Sequence, residues 1–529
     1  MNKKIEVIII TLLYLTTLYL WTLPIRNNQL PYGEADAASH YIIADYTSIS
    51  DKPITTLPYY IDIRYAQDNF FKPHTLWYPP QYHMDLAIVQ IFGGNQIIPF
   101  YIFLAILSSI IVLIVYFVIR ELYGFTPAFL SAILLMFSGR DYWIYLWGQW
   151  PERISYSLTI LILYCFYKYT YSCIDKSQSE EKPIYIYLTS LLLATSFLLH
   201  PMGFYQSIAA LAVFTIFILI KERKLPFEIK HLSFAVIIAV LILAMFPYQS
   251  ASVLIQFKEG GAERTYASIS TLFTWFKTPE QNPGVPDFYF SFNAMHGLWT
   301  LPLLLLGIIF LVMRRKRQDI MLLAWLTSTY IILHRDVFGI TSFLHRSLSV
   351  SAHIFAPLTA IGLLYLISFI KLKQPLKSYV KYALVAVFII LAVSLNGKAA
   401  YTTLNTAYTG FASKISMPQY NTAVWIRDNT DINSNIKLVG SVSYPQDIWE
   451  NMPKIQNKYI WMKSVAQRNI EPEPEKKNRT ITHFLIDYSD LIAVNHQQGI
   501  QKLQAYEQNL TNVNLIYNKE NMRLYKRET

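Results

Sequence analysis

The chain has 529 residues, 53% of them hydrophobic and 15% charged, and its mean hydropathy is positive. That composition excludes an ordinary soluble domain and points to a protein held in a membrane. A formal net charge of +11 does not mark a nucleic-acid groove, because Lys and Arg fall mainly in short loops between apolar segments.

The sequence opens with Met1-Asn2-Lys3-Lys4 and an apolar run from Ile5 to Leu23. This run is too long for a signal-peptide core and lacks a small-residue cleavage site, so it is expected to remain as an anchor. Runs of about 20 apolar residues predict spans near 5–24, 97–119, 126–146, 153–172, 184–199, 202–220, 232–248, 296–313, 318–334, 348–370 and 378–396, about eleven in all. The basic clusters test this alternation. Lys3-Lys4, Arg120, Lys168 with Lys176, Lys221 to Lys224, Arg314 to Arg317 and Lys371 to Lys377 all fall on one side, which puts the N-terminus inside and the tail outside. The break at His200-Pro201 suits either one kinked helix or a tight hairpin, and the basic clusters after it support the hairpin. Cys165 and Cys173 lie toward the end of one apolar segment and make neither a disulfide framework nor a CxxC site.

The expected fold is therefore an all-α polytopic membrane bundle over residues 1–396, with outer loops 24–96 and 248–295, followed by an extracytoplasmic α/β domain over 397–529. The first loop carries an acidic cluster and then the aromatic, Pro-rich stretch Trp77 to Tyr82, suited to a membrane interface. The second loop is polar and broken by Gly260-Gly261, Pro279, Pro283 and Pro286, a candidate lid. In the tail, Met417 to Asp428 and Gln498 to Gln508 have helical character. Ile436 to Val439, Ile481 to Ile486 and Val513 to Tyr517 are strand-like, and Met522 to Lys526 closes a hairpin across Asn518 to Asn521. Two sequons, at Asn478 and Asn509, fall in this tail.

Carboxylates are costly near hydrocarbon, so acids on the first outer loop read as a site. Within Pro31 to His40, Glu34 and Asp36 form a Glu-x-Asp pair, and a helix starting near Asp36 sets Asp36 and His40 on one face. Sugar transfer from a lipid phosphate needs a carboxylate to take the acceptor's proton, or a metal to balance the leaving phosphate, and this pair suits either. Solvated loop acids that cap the next helix are the alternative. Asp141 and Glu152 follow the third span. Pro151 suits a first helical turn, where the helix dipole favours Glu152, so Asp141 is the preferred partner of the first cluster. Among the outer basic residues, Arg346 at the mouth of the tenth span is best placed for a lipid phosphate, with a snorkelling anchor as its alternative. His200 lines the same cavity or satisfies backbone groups freed at the helix break.

These features resemble the GT-C superfamily of integral membrane glycosyltransferases, which includes protein O-mannosyltransferases, aminoarabinose transferases and oligosaccharyltransferases. The resemblance covers most of the chain. In that superfamily a modified Asp-x-Asp motif lies on the first outer loop, where Glu34-Ala35-Asp36 stands here. It implies that one of these acids is catalytic and that the donor is a polyprenyl or dolichyl phosphate sugar. The resemblance sets Asp141 in the place of a second acidic motif, and Arg346 in that of an Arg contacting donor phosphate. A divalent metal, Mg or Mn, would sit at Asp36 and Asp141. The helical bundle with an outer tail containing Trp425 to Thr430 resembles archaeal or bacterial members; the tail has no Trp-Trp-Asp-Tyr-Gly motif, so sequon recognition is not implied. The expected partners are membrane lipid, the polyprenyl phosphate sugar and a glycan, lipid or protein acceptor, at the plasma membrane. A non-catalytic envelope scaffold and a lipid-linked glycan transporter are the competing classes. So many spans are excessive for an anchor, and no internal repeat supports alternating access.

Overall fold

The computed structural model describes residues 2–33, 36–49, 81–94, 97–175, 183–246, 292–338, 344–405, 415–440, 458–472, 480–493 and 495–528. Glu34, Trp77 to Pro80, most of the candidate lid and the sequon at Asn478 lie outside them.

The first apolar run forms helix α1 (Lys3–Trp21), capped by the Asn2 side chain, and short α2 (Leu23–Asn28) follows it. Among the described residues two helices follow, α3 (Ala37–Ile49) and α4 (Gln81–Gly93). The bundle continues with α5 (Ile98–Tyr123), α6 (Phe125–Met136), α7 (Gly139–Trp147), α8 (Trp150–Ser157), α9 (Thr159–Ile174), α10 (Ile184–Leu199), α11 (Pro201–Glu222) and α12 (Ile229–Ala244). It ends with α13 (Leu301–Arg314), α14 (Arg317–Leu333), α15 (Leu344–Ser368) and α16 (Leu376–Leu391). Among the described residues five helical stretches are long and apolar enough to cross a membrane: Lys3–Trp21, Ile98–Tyr123, Pro201–Glu222, Val350–Ser368 and Leu376–Asn405. Four shorter apolar helices accompany them.

Two boundaries differ from the sequence expectation, and a third settles between its two alternatives. The stretch 126–146 is two helices, because the chain turns at Phe137-Ser138 and α7 is buried almost throughout its length. The span expected to end at 396 instead runs through a π-helical turn at Ala392–Gly397 to Asn405, so the division at 396/397 falls inside a helix. At His200 the backbone is extended and α10 packs back on α11, which is the hairpin alternative.

Close helix packing is built on small residues, as expected where lipid supplies no hydrophobic drive between helices. Gly307 of α13 and Gly362 of α15 face each other's helices so closely that a Cβ on Gly362 would lie 1.8 Å from the Leu303 carbonyl oxygen.

The tail is α/β. Its sheet has the order β2-β1-β3-β5-β4, from β1 (Asn435–Val439), β2 (Asn469–Glu471), β3 (His483–Asp487), β4 (Val513–Lys519) and β5 (Met522–Arg527). The first three strands are parallel, and β5 runs antiparallel to both β3 and β4. Around it lie α17 (Met417–Asn429), α18 (Lys458–Ala466), α19 (Ser489–Ala493) and α20 (Gln497–Gln508). A capping box between Ser416 and Gln419 starts α17. The hairpin expected across Asn518 to Asn521 is present, with positive φ at Glu520 and Asn521. Helices α18 and α19 and strand β2 were not foreseen.

Candidate functional site

The described residues on either side of Glu34 are held by several distant parts of the chain. Tyr32, just before it, stacks on Tyr101 of α5 at 4.1 Å between ring centroids. The Tyr101 hydroxyl donates to the Tyr32 carbonyl (2.6 Å) and lies 2.9 Å from the Tyr32 N–H. The hydroxyls of Tyr32 and Tyr145, on α7, hydrogen-bond each other. From the tail, Trp461 Nε1 donates to the Gly33 carbonyl (2.9 Å), and Ser464 Oγ donates to the Ala38 carbonyl (3.0 Å). Gly148, at the end of α7, completes the clamp. It has φ +83, and a Cβ there would lie 2.2 Å from the Ala37 nitrogen, so α3 begins directly against it.

Asp36 sits at the entry to α3, half-buried, with its carbonyl accepting the His40 N–H at 3.0 Å. This gives the Asp36 and His40 spacing expected from the sequence. His40 is buried, and its Nδ1 lies 2.9 Å from Nε2 of His83, on α4. Tyr82 and Trp150 flank the His40 ring, at 5.5 and 6.1 Å between centroids. Sequence reasoning missed His83. The signal was there, since it follows directly on the aromatic, Pro-rich stretch read as an interfacial segment. Trp461 and Ser464 had no local signal, being more than 400 residues from the turn they hold.

Asp141 belongs to a different set. Its carboxylate is fully buried; Oδ1 accepts from Arg153 Nε at 3.0 Å and lies 3.0 Å from His353 Nε2. Arg153 lies over the Trp21 ring at 4.5 Å and donates to the Ser108 carbonyl. This buried ion pair thus ties α1, α5, α7, α8 and α15 together. The Oδ1 oxygen of Asp141 is thus taken up by Arg153 and His353, whereas its buried Oδ2 has no hydrogen-bond partner among the described residues. Among the described residues no group of three or more His, Cys, Asp or Glu has metal-holding spacing.

The remaining expected residues are spread along the bundle. Glu152 is buried in the first turn of α8, behind Pro151. His200 caps α11: its Nδ1 accepts the Met202 N–H (3.2 Å) and its carbonyl accepts from Ser155 Oγ (2.9 Å), the backbone-satisfying alternative. Arg346 is in the first turn of α15, and its side chain lies outside the described residues, as does Glu34.

Comparison with known proteins follows this geometry. A family model described as dolichyl-phosphate-mannose-protein mannosyltransferase matches residues 79–248, from just ahead of α4 to just beyond α12. The archaeal oligosaccharyltransferase AglB of Archaeoglobus fulgidus, solved with an inhibitory peptide and a dolichol-phosphate, superposes with a TM-score of 0.57 at 14% identity, covering 98% of this chain and 74% of that one. ArnT of Cupriavidus metallidurans, solved bound to undecaprenyl phosphate, superposes with a TM-score of 0.55 at 10% identity, covering 98% of this chain and 97% of that one. No curated protein matches the sequence.

Proposed function

Starting from a GT-C fold, which the family model and the solved structures together support, we propose that this chain transfers a sugar from a polyprenyl or dolichyl phosphate to an envelope glycan, lipid or protein. The observation that carries the reading is that Asp36 stands one helical turn before buried His40, which pairs with His83, while Tyr32, Gly33 and Ala38 on either side are held by the bundle and the tail. The phosphate-bound lipids in the AglB and ArnT structures support the donor class.

In this reading the Asp36 carboxylate takes the proton from the acceptor hydroxyl or amide as the acceptor attacks the anomeric carbon. The bond from that carbon to the phosphate oxygen breaks, the electron pair leaves with the lipid phosphate, and the sugar inverts. Glu34 shares the acidic role, and Arg346 supplies the cation that the departing phosphate needs. His40, oriented by His83, lines the site beside Asp36. The same proposal includes the eleven-span topology with the N-terminus inside and the tail outside, in a plasma membrane. Support for the tail and the first loop sharing one face comes from the Trp461 and Ser464 hydrogen bonds to Gly33 and Ala38.

The test is Asp36→Asn in purified, membrane-inserted protein supplied with candidate polyprenyl phosphate sugars, with and without chelator. Transfer is expected to fall by at least a hundredfold while expression and insertion are unchanged. Full activity of this variant would remove the assignment.

A further inference from the structure

At the far end of the bundle from the acidic turn, two basic segments distant in sequence meet. Tyr101, near the start of α5, holds Tyr32, while at the end of the same helix the Tyr123 hydroxyl donates to Asp319 Oδ1 (2.9 Å). The two sites therefore stand about 33 Å apart along α5, at about 1.5 Å per residue. The end of α11 and the turn after it carry Lys221, Arg223 and Lys224, and the turn between α13 and α14 carries Arg314 to Arg317. Lys221 Nζ donates to the Arg315 carbonyl (2.7 Å), and Arg317 Nε lies 3.7 Å from Glu222 Oε1, which locks the two segments side by side.

The acids at this junction are taken up by two half-buried arginines. Asp175, at the end of α9, accepts from both terminal nitrogens of Arg317, whose guanidinium also faces Glu222. Asp319 accepts from Arg314 Nε (2.8 Å) and from the Lys316 backbone N–H (2.7 Å). Lys221, Arg223, Arg315 and Lys316 are exposed and have no acidic partner among the described residues. Lys221 and Arg315 each give one N–H to a carbonyl oxygen, which leaves their charge unneutralised. Lys224 is exposed as well, but it shares the field of Asp175. Beside these cations, Ile220 and Met313, in the last turns of α11 and α13, are 72% and 68% exposed.

Unneutralised cations side by side, edged by apolar side chains at the ends of two apolar helices, match a ligand with an anionic head and a hydrocarbon body. Basic residues at helix ends also orient spans. Orientation needs only the charge, whereas here two distant segments are locked together and their acids are withdrawn from the exposed cations. We propose that this junction binds the headgroup of an anionic glycerophospholipid in the leaflet on this side of the membrane. The phosphate is met by Arg223 from one segment and Lys316 from the other, with Lys221 and Arg315 flanking it, and the acyl chains lie along Ile220 and Met313. The bound lipid then bridges α11 to the α13–α14 turn. The inference does not depend on the transfer reaction or on which leaflet faces the cytoplasm.

The experiment titrates the full chain in detergent with short-chain phosphatidylglycerol, phosphatidylcholine or sn-glycerol 3-phosphate, counting bound molecules by native mass spectrometry. Hydrogen exchange at the end of α11 and the start of α14 is followed in parallel. Phosphatidylglycerol is expected to bind, to slow exchange at both places and to bind more weakly as salt is raised. Arg223→Gln and Lys316→Gln are each expected to weaken it about fivefold, and the double variant about twenty-five-fold. The control is Lys371→Gln with Lys373→Gln, which removes two exposed charges of a separate basic cluster and is expected to change nothing. Equal binding of phosphatidylcholine, affinity unchanged in the junction variants, or an equal loss in the control overturns the proposal. If glycerol 3-phosphate binds as tightly as the lipid, the site takes a soluble phosphate and the lipid assignment fails.

Discussion

Asp45 shows what burial does to a single carboxylate. It is fully buried between α3, α4 and the tail, makes no ion pair among the described residues, and burial pushes its pKa up to about 6 despite the hydrogen bonds from Gln467 and Gln90. A folded-state value above the unfolded one means that the folded protein holds the proton more tightly. The associated stability is therefore complete below about pH 4 and is lost as pH rises through about 6. The thermal midpoint of the protein is expected to fall between pH 4 and 7, and Asp45→Asn to remove that part of the fall, worth up to about 3 kcal/mol. Asp85 and Asp487 are also raised to about 6 by burial. The difference between wild type and variant is accordingly the quantity to measure. Asp141 is the opposite case, a buried acid with an ion-pair partner. Asp141→Ala leaves the Arg153 charge buried without its carboxylate and is expected to cost about 3–5 kcal/mol, read as a loss of folded protein in detergent. Sequence reasoning singled out Asp141 as the preferred partner of the first acidic cluster. It could not see that Arg153 and His353 would absorb the charge, because His353 lies 212 residues away.

At the scale of elements, the site depends on how closely α7 approaches α3. Gly148 permits that approach both through its positive φ and by having no side chain against the Ala37 backbone. Gly148→Ala is expected to push the start of α3 away, destabilise the protein by about 1–3 kcal/mol and lower transfer. Comparing turnover with the thermal midpoint checks this, since the start of α3 carries Asp36. The π-helical turn at Ala392–Gly397 is the other local feature with consequences. Apolar composition marked a span ending at 396, but helical hydrogen bonding continues to Asn405, and composition alone does not report where an exposed helix stops. Strands β1, β3, β4 and β5 were legible because each is short, alternating and set off by turn residues. Strand β2 has only three residues, too few for a pattern.

For the whole molecule, the central finding is that the tail packs directly on the first loop. Trp461 and Ser464 reach from α18 to Gly33 and Ala38, and Tyr41 packs on the Trp461 ring at 5.6 Å. Trp461→Ala is expected to leave both parts folded while loosening their contact. Limited proteolysis should then release the tail faster, and transfer should drop in parallel. Unchanged proteolysis would show that the contact does not hold the two together.

What the sequence determined by itself was the mostly helical, apolar bundle and the α/β character of the tail, since these follow from local composition and period. The tertiary structure alone decided which groups share the turn. It paired His83 with His40, gave Asp141 to Arg153 and His353, and brought Trp461 across the chain to Gly33. Those outcomes depend on long-range packing between elements, and no local pattern of residues encodes which distant face a helix will meet.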